Sequence, residues 1–317
     1  MPSSAFRRTA LFVQSLFNRF DPTRRRFPED TVDGVLAPLL LVGPPRTGST
    51  YVYQLLIDGL GLAYISNAMA LLPALMIGIQ RMTLKRTRRP IEWRRGDYGF
   101  LPGLLAPSEA GKILDRWFDQ DLLARHRGAI RRTLSALSLQ AGAPVCLKSP
   151  SLVRSLSVVL EVLPHARFVA LSRSPAYVAQ SLIEAWRDPT ISADVLLGAV
   201  PPGFEDHASH GRVYQIVWQI RESERALAAC LDPMPAGRVA HIRYEEIFRH
   251  PRAEIRRLAQ ELGLEPGTRI ERLPEAGEPG LSRRVDEATW LEILDACRKL
   301  GVEPFRGRSN EAAGNPA

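Results

Sequence analysis

The chain alternates short apolar runs with longer amphipathic segments. Apolar runs occupy residues 39–42, 144–147, 167–172 and 237–242, and residues at helical spacing follow each of them. Runs of this length, bounded by turn residues, are typical of buried strands. Four strand-then-helix units in order predict an α/β fold with a mainly parallel sheet and helices on both faces.

The same pattern defines the expected organisation of the chain. Residues 36–300 are predicted to form one α/β domain, with a largely helical insertion over about 62–143 between its first two units. Ser108 is expected to be the N-cap of a helix in this insertion. Residues 1–35 are predicted to form an amphipathic, basic arm, and residues 301–317 a tail. Further helices are expected at about 49–60, 122–140, 151–163, 175–186, 212–231, 252–262 and 286–300.

Composition narrows the class of protein. The 317 residues carry a formal net charge of +8, which suggests an anionic partner or simply a basic surface. Three widely spaced cysteines form neither a disulfide framework nor a metal-ligand pattern, which favours a reducing, cytoplasmic location and no metal. No apolar run approaches the ~20 residues needed to span a bilayer.

Two segments could make a peripheral contact with a membrane. The apolar face of residues 1–20 is expected to dock on the domain, with a membrane surface as the alternative. The basic segment 81–95 is read as a solvated face, with an electrostatic collar for an acidic substrate, a nucleotide or a membrane as the alternative. Its sparse aromatic residues do not indicate nucleic-acid binding.

The segment that follows the first strand carries the clearest candidate chemistry. Residues 43–50 read Gly-Pro-Pro-Arg-Thr-Gly-Ser-Thr between a strand and a helix, an arrangement that aims backbone N–H groups at a phosphate. The glycine spacing matches the P-loop, but Ser49 stands where its lysine belongs. Arg46 returns a positive charge inside the loop, and a guanidinium suits an anion held by two hydrogen bonds.

Cations recur at the other strand ends. Lys148, Arg173 and Arg243 follow the second, third and fourth predicted strands. Ligands of open parallel sheets bind outside the carboxyl ends of the strands. We therefore expect these residues and the loop to form one anion-binding edge.

These motifs resemble those of sulfotransferases that use 3′-phosphoadenosine-5′-phosphosulfate (PAPS). The loop is similar to the family's G-x-P-R-[ST]-G-[ST]-T, and residues 163–181 are similar to its F-P-x-A-R-F-V-x-x-x-R-[DS]-P-x-x-V-x-x-S. The resemblance covers about residues 36–265. It implies a P-loop-like fold and PAPS as co-substrate, with the 3′-phosphate on Arg173 and Ser181. The 5′ end would bind to the loop residues Pro45, Arg46, Thr47, Gly48, Ser49 and Thr50.

The resemblance also implies in-line sulfuryl transfer to a hydroxyl or amine of a small-molecule, lipid or carbohydrate acceptor. Arg46 and Lys148 would stabilise the charge that develops on the leaving oxygen. Many relatives carry a glutamate base where this chain has Ser66-Asn67-Ala68, so Glu109 is our first candidate for the base. His207 and His210 are the alternatives, since a base needs only to reach the acceptor proton.

Two other classes stay open from the sequence. A nucleotide-dependent kinase or NTPase with a degenerate P-loop is one, although Lys148 stands where such enzymes hold magnesium through an acid. A non-catalytic binder of anionic ligands is the other, supported by the basic segment and the net charge.

Overall fold

A parallel sheet forms the centre of the protein. The computed structural model describes residues 32–34, 36–87, 89–91, 100–188, 198, 200–279 and 281–306. Within them, five parallel strands lie in the order β2-β3-β1-β4-β5. In chain order they are β1 (Leu39–Val42), β2 (Ala63–Tyr64), β3 (Val145–Lys148), β4 (Arg167–Ser172) and β5 (Val239–Arg243). The predicted α/β class is confirmed, and β2 is an edge strand that the sequence pattern did not reveal.

Helices cover both faces of the sheet, as expected. They are α1 (Ser49–Leu60), α2 (Asn67–Leu71), α3 (Met76–Thr87), α4 (Gly111–Trp117), α5 (Leu123–Ala141), α6 (Leu156–Val162), α7 (Pro175–Trp186), α8 (Arg212–Leu231), α9 (Tyr244–Arg249), α10 (Pro251–Glu261) and α11 (Glu287–Lys299). Short 3₁₀ helices include Pro73–Leu75, Pro150–Ser155 and Phe204–His207.

Alternate residues of the strands enter two separate cores. Leu40 and Phe168 join the core formed with α4, α5, α6 and the end of α8. Leu39 and Val169 join the core formed with α1 and α10 on the other face. Because both faces are buried, the strands read as continuous apolar runs rather than as an alternating pattern.

The start of α4 differs from the expectation. The helix begins at Gly111, and Ala110 before it has a positive φ of 50°. Ser108 is therefore not the N-cap: its Oγ accepts the N–H of Ala110 at 3.1 Å and closes a local turn. Glu109 consequently lies in a turn ahead of the helix rather than in its first turn.

A third cluster lies on the far side of α7. Helices α7, α8 and α11 pack together, and Val302 and Phe305 pack against them. The Pro304 carbonyl accepts the N–H of Ala176 at 3.1 Å. Residues 302–306 of the expected tail thus join the body of the molecule.

Several sequence-based expectations fall on undescribed parts of the chain. The apolar face expected within residues 1–20, and residues 88 and 92–95 of the basic segment 81–95, lie outside the described residues. Among the residues that the structure does describe, no helix has both the length and the apolar character that crossing a bilayer requires.

Candidate functional site

The loop between β1 and α1 depends on glycine at two positions. A Cβ on Gly43 would lie 2.5 Å from the carbonyl oxygen of Leu171, so β1 and β4 approach too closely for a side chain. Gly48 has a φ of +86°, and a Cβ there would lie 2.2 Å from the ring of Tyr244. Thr47 is fully buried and donates to the carbonyl of Pro44 at 2.9 Å. The loop is therefore closely packed and leads directly into α1.

Arg46 connects this loop to the end of β4 and to α7. Its backbone has a positive φ of 64°, unusual for a residue with a side chain. Its Nε donates to Ser181 Oγ at 3.1 Å, and its carbonyl accepts from Arg173 Nη1 at 3.3 Å. The structure thus brings Arg46 together with Arg173 and Ser181, which are more than 120 residues away in the sequence. The hydrogen bond of Ser181 goes to Arg46, not to Arg173.

Arg173 has an unused donor. Its guanidinium carbon lies 4.6 Å from the ring centroid of Tyr244. Its Nε is buried and has no hydrogen-bond partner among the described residues. Burial lowers the pKa of Arg173, an effect that the nearby Tyr244 and Glu245 oppose. A buried cationic donor without a partner is costly unless a ligand completes it, so this position fits an anion such as a phosphate.

Lys148 lies between the loop and Glu109. The side chain is 2% exposed, its Nζ donates to Thr50 Oγ1 at 3.2 Å, and it forms an ion pair with Glu109. Burial, and secondly the charge of Arg46, lower the pKa of Lys148 from 10.5 to about 7. The carboxylate of Glu109 acts in the opposite direction. The Lys148 side chain thus contacts both the loop of residues 43–50, through Thr50, and the candidate base Glu109.

Residues 66–68 stand where many relatives carry a glutamate, and Asn67 among them helps to hold the turn that contains Glu109. Asn67 Nδ2 donates to the carbonyls of Leu101 and Gly103 at 2.7 and 2.8 Å. The same loop receives hydrogen bonds from two tyrosines, Tyr64 to the Leu105 carbonyl at 3.0 Å and Tyr53 to the Ser108 carbonyl at 3.4 Å. Asn67 and these tyrosines therefore position Glu109, a role that sequence reasoning missed because it joins segments more than thirty residues apart.

An open cleft of about 280 Å³ lies beside Glu109. Asn67, Ala70, Phe100 and Ile113 are among the residues that line it. The lining combines polar residues with apolar side chains, so the cleft could receive a second substrate next to the Glu109 carboxylate.

The two candidate histidines pack on α8. The His207 ring lies 4.6 Å from the Trp218 ring, and the His210 ring stacks on Tyr214 at 4.3 Å. Gln215 Nε2 donates to the carbonyls of both histidines, at 3.2 and 2.9 Å. Their contacts therefore associate them with α8, whereas Glu109 contacts Lys148 directly.

Gly198 lies against the loop that joins β1 to α1. A Cβ on Gly198 would lie 2.7 Å from Pro45 Cγ, and Gly198 has a φ of +89°. A side chain at Gly198 would therefore press on Pro45.

Tyr244 is a second residue whose role the sequence did not reveal. Its ring meets both Gly48 and Arg173 and packs edge-on to Tyr51, with the centroids 6.5 Å apart. A tyrosine directly after a strand-end arginine was the available signal.

The site gives no support to the kinase or NTPase alternative. Ser49, in the position of the P-loop lysine, begins α1. The strand end next to β1 presents the cation Lys148, whereas magnesium would need an acid there.

Known proteins resemble this chain in sequence and in fold. Residues 38–267 match the sequence model of the sulfotransferase family. The solved structure of sulfotransferase STF9 from Mycobacterium avium is similar, with a TM-score of 0.56 and 18% identity over 93% of this chain and 83% of that one. Sulfotransferase STF1 from Mycobacterium tuberculosis gives a TM-score of 0.49 and 15% identity over 82% of this chain and 74% of that one. No curated protein sequence matches the chain.

Proposed function

The chain belongs to the sulfotransferase family, and from this membership and the site we propose that it moves the sulfuryl group of PAPS to a hydroxyl or amine. The acceptor would be a small molecule, a lipid or a carbohydrate. The observation that carries the proposal is the direct connection of Arg46 to Ser181 and Arg173 at the carboxyl ends of β1 and β4. In open α/β sheets this edge is where nucleotides bind.

The charges of this edge suit a donor with two anionic ends. Backbone N–H groups and side chains of the loop (Pro45, Arg46, Thr47, Gly48, Ser49 and Thr50) would hold the 5′ end at the start of α1. Arg173, with its buried unpartnered Nε, and Ser181 would hold the 3′-phosphate. Because Arg46 contacts both groups, the two ends of the donor would be bound by one connected network.

The reacting groups would be positioned by Lys148 and Glu109. PAPS, when bound, supplies the sulfuryl group and a 3′,5′-bisphosphate as the leaving group. Glu109 would accept the proton of the acceptor as the acceptor oxygen or nitrogen bonds to sulfur. Lys148 and Arg46 would offset the negative charge that grows on the leaving oxygen. Because these side chains supply the positive charge, the proposed reaction needs no metal.

Two further points complete the proposal. The cleft beside Glu109 is the proposed acceptor site, since it is lined by that residue. A cytoplasmic location is proposed from the three free cysteines Cys146, Cys230 and Cys297, which suit a reducing compartment.

Donor binding is tested by calorimetry with 3′-phosphoadenosine-5′-phosphate. Arg46→Ala and Arg173→Ala should each weaken its affinity roughly 10- to 100-fold, the usual cost of losing a charge-assisted hydrogen bond. Arg243→Ala is the matched control: the sequence pattern placed Arg243 on the same anion-binding edge, but in the structure its guanidinium is paired with Glu246. Affinity that stays unchanged in both Arg46→Ala and Arg173→Ala would refute the proposal.

The catalytic role of Glu109 is tested by turnover with labelled PAPS and a panel of acceptors. Glu109→Gln should keep donor affinity and lose roughly 10²- to 10⁴-fold in turnover, the range for general-base catalysis. His207→Asn and His210→Asn should leave turnover near that of the wild type. The opposite order would transfer the role to the histidines, and donor binding without transfer to any acceptor would favour the non-catalytic alternative.

A further inference from the structure

An exposed apolar row runs along α2, the turn after it and α3. Leu71, Leu72, Leu75 and Met82 are 70%, 48%, 41% and 88% exposed, whereas Met76 between them is buried. Leu75 and Met82 are seven residues apart and therefore share one side of the helical segment. Several large exposed apolar side chains this close together in the chain, unlike single exposed ones, mark an interaction surface.

The chain becomes basic along α3 and just beyond its C-terminal end. Arg81, Lys85, Arg86 and Arg89 are exposed, and Lys85 and Arg86 follow Met82 by three and four residues. The sequence from 59 to 91 contains no Asp or Glu. We call these four basic residues together with Leu71, Leu72, Leu75 and Met82 the α3 stripe.

Helix electrostatics alone do not account for the α3 stripe. Cations in a last helical turn complement the helix dipole, but they give no reason for leucine and methionine side chains to face water beside them. A second copy of the chain is disfavoured as the partner, because pairing two such surfaces brings like charges together. The partner must offer an apolar layer and negative charge at once.

We propose that the α3 stripe docks on the surface of an anionic lipid bilayer. Leu71, Leu72, Leu75 and Met82 would enter the boundary between headgroups and acyl chains. The basic residues would contact the lipid phosphates, and each such contact adds to binding at an anionic surface.

The cleft beside Glu109 borders this surface. Helix α2 lines the cleft through Asn67 and Ala70 and also begins the stripe. Phe100, 61% exposed, lines the cleft as well. Docking of the protein through the α3 stripe would therefore place the mouth of the cleft near the lipid headgroups.

Vesicle flotation tests the proposal. The full chain should float with vesicles of phosphatidylcholine containing about one-third phosphatidylglycerol, and much less with phosphatidylcholine alone. Lys85→Ala/Arg86→Ala should weaken binding roughly 25-fold, and Leu75→Ser/Met82→Ser roughly tenfold or more. High salt should reproduce the charge effect.

Matched controls come from α11, which packs on α7 and α8. Arg298→Ala/Lys299→Ala removes the same two charges from an exposed helix end, and Leu291→Ser removes a leucine that is 58% exposed. Both should bind vesicles like the wild type. Affinity for 3′-phosphoadenosine-5′-phosphate, measured in parallel, should not change in any variant, so the outcome is independent of the proposed enzymatic activity.

Three results would overturn the proposal. Equal vesicle binding by the stripe variants and the control variants would show that the α3 stripe does not contact the membrane. Binding lost on deletion of residues 1–31 but kept in the stripe variants would assign the contact to the N-terminal segment. A dimer in light scattering that Met82→Ser converts to a monomer, without vesicle binding by the wild type, would assign the stripe to self-association.

Discussion

Gly48→Ala is expected to damage the site although it adds only one methyl group. The new Cβ would lie 2.2 Å from the Tyr244 ring, at a backbone φ of +86° that disfavours side chains. The Tyr244 ring cannot simply turn away, because it contacts the Arg173 guanidinium and packs against the rings of Tyr51 and Phe248. We expect the ring to be displaced, and Arg173 with it.

The magnitude follows from two separable costs. A left-handed backbone at alanine costs about 1–2 kcal/mol, and forcing a methyl group into a packed contact costs about 1–3 kcal/mol more. Gly61 isolates the first cost, because it has a similar φ of +65° with nothing within 4 Å of an added Cβ. The free energy of unfolding should therefore fall by about 1–3 kcal/mol more in Gly48→Ala than in Gly61→Ala.

Urea denaturation followed by circular dichroism measures this difference, and calorimetry with 3′-phosphoadenosine-5′-phosphate measures its effect on the site. Donor affinity should fall roughly 10- to 100-fold in Gly48→Ala and stay unchanged in Gly61→Ala. In a Tyr244→Ala background the extra cost of Gly48→Ala should disappear, as expected for two residues in contact. Equal losses of stability in the two glycine variants would show that the Tyr244 ring does not constrain the loop.

Two further predictions concern Glu109 and Lys148. Asn67→Ala should lower kcat by up to roughly 10²-fold through a misplaced Glu109, with unchanged donor affinity; a parallel loss of affinity in calorimetry would indicate general unfolding instead. For Lys148, the pKa of about 7 in the folded protein lies below the ordinary 10.5. Between these two pKa values the Lys148 side chain is protonated in the unfolded chain and deprotonated in the folded protein. The free energy of unfolding therefore rises with pH across this window. Lys148→Met should remove a slope of up to about 1.4 kcal/mol per pH unit, measured from urea midpoints at neutral and alkaline pH; equal slopes would contradict the assigned pKa.

Local pattern was sufficient for most of the fold. Continuous apolar runs identified β1, β3, β4 and β5, because strands covered on both faces leave no polar alternation. Strand β2 was missed because two residues, Ala63 and Tyr64, carry no pattern of their own and are held by pairing with Val145 and Cys146. Ser108 was misassigned as an N-cap because a serine can close a local turn as readily as it caps a helix.

The individual residues of the candidate site could be predicted from the sequence, but the contacts between them could not. The glycine spacing, Arg46, Lys148 and Arg173 followed from short motifs at strand ends. The contact of Arg46 with Ser181 spans 135 positions in the sequence and depends on β1 lying beside β4. The ion pair of Lys148 with Glu109 similarly depends on how Asn67 fixes a loop inside the helical insertion.

The attachment of residues 304–306 to α7 has a practical consequence for shortened forms of the protein. The Pro304 carbonyl caps the N–H of Ala176, and the Arg306 N–H bonds to Ser174 Oγ at 3.2 Å. A chain cut before Pro304 would lose both supports at the first turn of α7, directly after Arg173. We therefore expect a form cut before Pro304 to lose affinity for the proposed donor, and a form that extends through Arg306 to keep it.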